Sequence, residues 1–373
     1  MSEKLITVKQ IHGEPVQYVF SKDDASGHIQ ISNKEEPQKI LSIIPSKIIT
    51  SECFQEQYMK TNSDQFHYQE FVEGTFVCVF YDERICGWEM ATKNSVGCNY
   101  WYIRNQYKAG DFDRQLTFRQ MLIECLGGAF DQDFNELPFL NGLSKTHVYH
   151  FVIQHPTNKM ILNVQIPNAY LVDVYEINGA KIQHIPIREY KKVDGLEPLT
   201  RLILYPSTYT LEKLDDLTVD AFFKEHELQG LVATHLTSGT RTIFEDREYR
   251  KIKELRGNHP NLQYLYLSLI KENKITEFLN VFSVYKKLFE LFRQELHDFV
   301  CQLHSNYISY YVQKVGAIIP KKYFPLVYKL HHEVFLVNKR DDSTFILRRG
   351  SVYSFIKKLE VGTVLFYLNI TQT

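Results

Sequence analysis

The sequence predicts an α+β protein, an antiparallel-sheet core followed by a helical C-terminal domain. Three observations carry this. Residues 1 to about 270 are mostly short β-prone runs that end at turn residues. The longest of these closes on Asn178-Gly179, a hairpin signal. From about Glu272, aromatic and apolar residues recur at three- and four-residue steps, the period of an amphipathic helix. A chain of 373 residues, 44% hydrophobic and 14% aromatic, is long enough for two or three domains and too apolar for disorder.

Taken in order, the run Thr75-Phe-Val-Cys-Val-Phe-Tyr81 reads as a strand ended by Asp-Glu-Arg. A helix is expected over 116–126, where Phe118, Met121, Leu122 and Cys125 fall at i, i+3, i+4 and i+7. His147-Val-Tyr-His-Phe-Val-Ile153 is a second strand, and Ala169-Tyr-Leu-Val-Asp-Val-Tyr-Glu-Ile177 a third. The helical part opens with Phe278, Phe282, Tyr285, Phe289, Phe292, Leu296, Phe299, Leu303 and Tyr307. A second helical stretch runs through Leu326, Leu330 and Phe335, and a third through Val352, Phe355, Ile356 and Leu359. The domain boundary drawn from this change of period separates 1–270 from 271–373. No internal repeat or low-complexity tract is present.

Lys and Arg total 43 against 44 for Asp and Glu, which excludes a polyelectrolyte binder recognised by bulk charge, although not a local basic groove. The six cysteines, Cys53, Cys78, Cys86, Cys98, Cys125 and Cys301, show no C-x-x-C spacing, so reduced thiols in an intracellular compartment are expected. Neither a signal-peptide run nor 18 consecutive apolar residues occurs, and a soluble protein with no membrane partner is expected. His147 and His150 differ in strand parity and point to opposite faces, which argues against a shared metal. His155, His297, His304 and the adjacent His331-His332 likewise read as structural or solvated, so no metal site is expected.

A Walker loop, G-x-G-x-x-G, H-E-x-x-H and a calcium loop are all absent. Three segments in order nonetheless form a pattern. The first is Glu70-Phe-Val-Glu-Gly-Thr-Phe-Val-Cys-Val-Phe-Tyr-Asp82 with Gly87-Trp-Glu-Met-Ala-Thr-Lys-Asn-Ser95. The second is Phe151-Val-Ile-Gln-His-Pro-Thr-Asn-Lys159 and the strand ending Tyr175-Glu-Ile. The third is Leu228-Gln-Gly-Leu-Val-Ala233, then Arg241-Thr-Ile-Phe-Glu-Asp-Arg-Glu-Tyr249 and Leu255-Arg-Gly-Asn258. Together, over roughly 40–370, they resemble the covalent nucleotidyltransferases. The closest likeness is to the RNA-ligase-like proteins of large nucleocytoplasmic DNA viruses, relatives of the bacteriophage tRNA-repair RNA ligase.

The resemblance implies an RNA-ligase-type core in which a lysine of a K-x-D-G element attacks the α-phosphate of ATP, with Mg²⁺ and cationic side chains neutralising the leaving pyrophosphate. Carried over position by position, that element is Phe71-Val-Glu-Gly74, and the nucleophile's place holds Phe71. The strand carboxylate falls on Val152, the later metal-side glutamate on Gln229, and the two last-strand cations on Ile243 and Glu245. Glu73 and Gly74 are kept, as are Lys47, Lys93 and Arg241, which the resemblance marks as a relic nucleotide site. The expectation is therefore a catalytically degenerate protein that binds RNA or a viral protein partner, located inside the cell in host cytoplasm or virion, with no catalytic residue, metal or cofactor.

Two alternatives stand beside it. One is an active ATP-dependent RNA ligase, using ATP and Mg²⁺ and a displaced lysine. Lys192 of the literal Lys192-Val-Asp-Gly195 qualifies, although it follows the segments it should precede, and so does Lys60. The other is a scaffold subunit of a virion or transcription complex. Basic pairs near aromatics in the helical part, Lys286-Lys287, Lys321-Lys322, Arg348-Arg349 and Lys357-Lys358, are the RNA-contact candidates.

Overall fold

The structure, a computed structural model, describes residues 4–8, 16–23, 28–45, 48–58, 63–102, 115–158, 160–186, 189–190, 193, 202–211, 216–314 and 318–370. It divides into two compact units, one drawn from Met1–Trp101 and Gln115–Glu254, the other from Tyr102–Arg114 and Leu255–Thr373. Residues 255–270 thus belong with the helical unit, on the far side of the boundary drawn at 270.

Among the described residues the first unit holds three sheets. Strands β1 (Lys4–Val8), β2 (Val16–Lys22), β3 (Ile29–Asn33) and β4 (Ile40–Ile44) form an antiparallel meander. Helix α1 (Ser51–Tyr58) follows, then β5 (Phe66–Glu70), β6 (Thr75–Asp82), β7 (Gly87–Thr92) and β8 (Ser95–Val96). Next come helix α2 (Phe118–Cys125), β9 (His147–Gln154), β10 (Asn168–Asn178) and β11 (Lys181–Ile185). The last elements are β12 (Ile203–Leu204), β13 (Thr208–Tyr209), α3 (Asp216–His226), β14 (Gly230–His235), β15 (Arg241–Glu245) and α4 (Arg247–Arg256). The second sheet has the order β11-β10-β9-β6-β7-β8, with β12 added in parallel on β10, and the third the order β13-β5-β14-β15.

The strands expected from sequence appear within a residue of their expected ends. Gly179 turns the β10–β11 hairpin at φ +62°, a conformation costly for residues with a Cβ. Helix α2 begins at a capping box, the Thr117 hydroxyl and the Gln120 side chain each bonding the other's backbone N–H. Its face of Phe118, Met121, Leu122 and Cys125 is buried. Between the first two sheets lies a core of Tyr18, Phe20, Ile31, Ile44, Cys78, Phe80, Ala91, Val96 and Val148. A second core, with Phe54, Tyr68, Phe223, Leu231, Ala233 and Phe244, backs the third sheet.

The helical unit is built from α5 (Leu262–Glu272), α6 (Ile275–Val281), α7 (Lys286–Tyr307), α8 (Phe324–Lys329), α9 (Leu336–Asp341), α10 (Arg349–Lys358) and α11 (Val361–Asn369). Every residue of the periodic run from Phe278 to Tyr307 named above is buried; Phe278 and Phe289 stack, Tyr266 meets Phe289 edge-on, and Phe292 packs tilted against both Tyr266 and Phe289. The run is interrupted at Phe282, whose backbone leaves the helical region before a single 3₁₀ turn over Ser283–Tyr285. All six cysteines are free thiols, and no described helix is long and apolar enough to cross a membrane.

Candidate functional site

In the third sheet, β14 pairs with β5 and β15 so that Gly230 lies opposite Glu245, Val232 opposite Gln69 and Ile243, and Thr234 opposite His67 and Arg241. Directly opposed residues share a face. One face therefore carries His67, Gln69, Val232, Thr234, Arg241, Ile243 and Glu245, while Tyr68, Leu231, Ala233 and Phe244 turn into the core behind. The Phe71 N–H donates to the Gly230 carbonyl at 2.9 Å, extending the ladder by a residue.

In the second sheet, Phe76 lies opposite Val152 and Val152 opposite Tyr170, while Cys78 lies opposite His150 and His150 opposite Asp173. A bulge between Leu171 and Asp173 makes this possible. Without the extra residue, Asp173 would fall opposite Tyr149, on the other face of β9; the bulge turns it onto the face of His150 and Val152.

The two sheets meet there. Arg241 donates to both Asp173 oxygens, at 2.7 and 2.9 Å, and to the Tyr175 hydroxyl at 3.0 Å. His184 Nε2 stands 3.1 Å from Asp173 Oδ1, and His150 Nε2 donates to the Ile43 carbonyl at 2.8 Å, leaving Nδ1 4.0 Å from Asp173 Oδ2. Burial opposes ionisation of Asp173, but Arg241's charge and the hydrogen bonds outweigh it and hold the carboxyl well below the usual carboxylate range. Burial lowers the pKa of His150 against the opposing pull of Asp173. Arg241, a relic-site residue in the sequence reading, is thus engaged internally.

At the other end of the same faces sits a second group, around Phe71. Phe71 packs edge-on against Tyr249, ring centres 5.8 Å apart. The Glu73 carboxylate accepts the Ile161 N–H at 2.8 Å and the Leu162 N–H at 3.1 Å, and its backbone carbonyl accepts from Gln154. A Cβ on Gly74 would lie 2.5 Å from the Ile153 carbonyl oxygen and 2.7 Å from Val152 Cγ1. One on Gly230 would lie 2.7 Å from the Phe244 carbonyl oxygen and 3.3 Å from Phe71 Cβ. Glu245 is paired with Lys253 and Arg250. Burial raises the Tyr249 pKa, and the charges of Glu73 and Glu245 raise it further, so these three groups are electrostatic neighbours. Phe71, Glu73, Gly74, Val152, Gly230 and Glu245, which are scattered in sequence, converge on this end of the two sheets.

Other sequence candidates lie elsewhere. Lys47, Lys60 and Lys192 are outside the described residues. Lys93 is exposed in the turn between β7 and β8. In the helical unit Lys286, Lys287, Lys321, Arg348, Arg349 and Lys358 are exposed. Lys322 instead donates to the Leu368 carbonyl at 3.0 Å beside the Phe299 and Tyr323 rings, where burial lowers its pKa. Lys357 is bonded to Asn273. His155 is tied to Glu124 at 2.8 Å and to Thr157. Among the described residues no group of three or more His, Cys, Asp or Glu side chains is placed to hold a metal.

Sequence reasoning missed the Asp173–His184 side of the cluster. Its one signal was an aspartate within the run Ala169–Tyr175, whose other residues are apolar or aromatic.

No protein-family model matches the chain, and no curated protein does. Among solved structures, it is similar to a Naegleria gruberi RNA ligase with PPi, at 14% identity and TM-score 0.36 over 56% of this chain and 57% of that one. A variant of that ligase with ATP and Mn gives 14% and 0.35 over 55% and 57%. A putative ATP-dependent DNA ligase from Aquifex aeolicus gives 12% and 0.38 over 82% and 78%. The match spans little more than half of the Naegleria ligase. A likeness at these values assigns no chemistry to any residue.

Proposed function

We propose that this chain carries an RNA-ligase-type nucleotidyltransferase core whose adenylation site is silent, and that it acts by binding RNA. The observation that supports the reading best is the contact of Phe71 with Tyr249 at the point where the other motif positions converge. Transfer of AMP to an enzyme needs a side chain with a lone pair at that point, and a phenyl ring has none.

The neighbours do not fit Mg·ATP either. Val152 and Gln229 offer no carboxylate to a cation. Glu73 already accepts two backbone N–H groups, and Glu245 stands where a triphosphate needs a cation and takes up Lys253 and Arg250 as its own partners. We therefore derive no step through that group.

RNA as the ligand is favoured by the helical unit, where Tyr310, Phe324 and Tyr328 are 43%, 50% and 54% exposed and the exposed cations Lys321 and Lys329 are close to Phe324 and Tyr328 in sequence. Exposed rings beside cations suit stacked bases and a phosphate backbone. Kinship with the RNA-ligase-like proteins of large DNA viruses, and with it a place in host cytoplasm or virion, belongs to the same proposal and rests on motif order.

Titration with a fluorescent single-stranded RNA over a salt series tests the binding. The expected result is affinity that falls with salt through a few phosphate contacts and is indifferent to ATP. Absence of binding, together with recovery of the protein in a large complex, would replace the reading with the scaffold one.

A further inference from the structure

Two π-helical turns interrupt the helices of the helical unit. α7 continues into one over Ile308–Val312, and α8 into another over Leu330–Phe335. Such turns, wound from i to i+5, are rare and occur mostly where a site depends on their shape. The first of them changes which side chain faces out. Tyr310 lies three residues after Tyr307 and seven after Leu303, both buried, so on an α-helix it would share their face. Over the wider turn it is instead exposed.

The rings of the two turns and of α8 form one connected row. Tyr311 and His331 stack with centres 3.7 Å apart and planes 3° from parallel. Tyr310 meets Tyr311 edge-on at 5.0 Å and Phe324 edge-on at 6.4 Å. His331 meets His332 edge-on at 5.3 Å, and the His332 ring lies 4.2 Å from that of Tyr328. Phe324, Tyr328 and His332 follow one another at four-residue steps, all three exposed. Lys321 joins their face. The Tyr323 and Phe324 N–H groups both donate to the Pro320 carbonyl, at 2.9 and 3.3 Å, so the chain already winds helically before α8 begins. Lys321, Phe324 and Tyr328 thus stand at i, i+3 and i+7, one stripe of a helix.

Charge selects the occupant. Residues 308–340 hold six Lys and Arg and a single carboxylate, Glu333, in a chain whose whole balance is −1. An anionic partner that also offers flat aromatic faces is a nucleic-acid strand, and an unpaired one offers them freely, because in a duplex each base is stacked on its neighbours. We propose that this row holds single-stranded RNA, with unpaired bases stacking on Tyr310, Phe324, Tyr328 and His332 and the phosphate chain meeting Lys321. The site rests on the RNA-binding reading above and adds to it the form of the RNA: single-stranded, and recognised by base faces rather than base edges, so that its sequence matters little.

Fluorescence anisotropy of labelled oligouridylate, alone and annealed to oligoadenylate, tests the site in the full-length chain. Wild type should bind the single strand more tightly than the duplex. Tyr310→Ala combined with Tyr328→Ala should weaken single-strand binding roughly tenfold or more, leaving duplex binding and the salt slope of the single strand unchanged, because stacking and not charge has been removed. Lys321→Ser should do the opposite, flattening the slope of log affinity against log salt by about 0.7, one single-strand phosphate contact.

A ring variant that binds the single strand as wild type does overturns the site but leaves RNA binding standing, and marks the row as a protein-docking face. Equal loss toward single strand and duplex overturns it too, as does a Lys321→Ser slope equal to that of wild type. Wild type that binds neither form of RNA overturns both the site and the RNA-binding reading on which it rests. Should the double variant fail to fold, Tyr328→Ala alone decides: single-strand affinity within twofold of wild type overturns the site.

Discussion

Replacing Asp173 by Asn should destabilise the first unit strongly, because Asp173 is the point at which its second and third sheets are pinned together. Asp173 and Arg241 have side chains only 6% and 13% exposed, and they share two hydrogen bonds of 2.7 and 2.9 Å. Removing one partner of such a buried pair strands the other's charge, at about 3–5 kcal/mol. Asparagine keeps the shape and one acceptor, which places Asp173→Asn at the lower end, ~3 kcal/mol. For a unit of this size that corresponds to a fall in melting midpoint of roughly 6–12 °C. Urea and thermal unfolding followed by circular dichroism would measure it. Arg241→Met added to Asp173→Asn removes the stranded charge, so the double variant should lose less than the sum of the singles, by about 0.5–3 kcal/mol. Strict additivity, or an Asp173→Asn midpoint within about 1 °C of wild type, would refute the inference that this pair joins the sheets.

The same cluster should make stability depend on pH. Burial lowers the pKa of His150, and likewise of His28 and His67, so the unfolded chain takes up protons near pH 6.5 before the folded one does. Their contribution is complete above about pH 6.5 and drains away below it, and His150→Gln should flatten the urea-midpoint profile there; identical profiles would contradict this. Asp173, held low, adds stability present above about pH 3.9 and lost as pH falls through its folded value. Gly230→Ala should cost about 1–3 kcal/mol in unfolding experiments, since its Cβ meets the Phe244 carbonyl oxygen at 2.7 Å and the obstacle is backbone. Thr117→Ala should cost about 1 kcal/mol by removing the capping box of α2. Phe71→Lys should fail to restore covalent labelling by ATP, because Val152, Gln229, Ile243 and Glu245 remain as they are.

Much of the fold was legible where burial follows a local period. The run Phe278 to Tyr307 reads as a helix because its 3.6-residue stripe is the buried one, and β6, β9 and β10 because their ends carry turn chemistry. The break at Phe282 was not legible, since apolar spacing continues through it while the backbone does not. Helix α5 was assigned with the strands, although its buried Leu262, Leu265, Tyr266 and Leu269 pack in the helical unit with α7 and α11. The Asp173–Arg241 pair was hidden for a different reason. Its members are 68 residues apart, and the face that Asp173 occupies is decided by one bulged residue that alternation along the strand does not reveal. Near Phe71, Glu73, Gly74 and Gly230 are each fixed by backbone N–H groups or by close backbone approach, which is a local reason for a carboxylate and two glycines at those positions.

The most direct test of the proposal that the adenylation site is silent is the intact mass of the folded protein after incubation with ATP and either Mg²⁺ or Mn²⁺. The account predicts an unchanged mass, in a sample whose cooperative melt shows it to be folded. A mass increased by one AMP, lost in Lys192→Ala or Lys60→Ala, would contradict the account and establish a working nucleotidyltransferase with a displaced nucleophile.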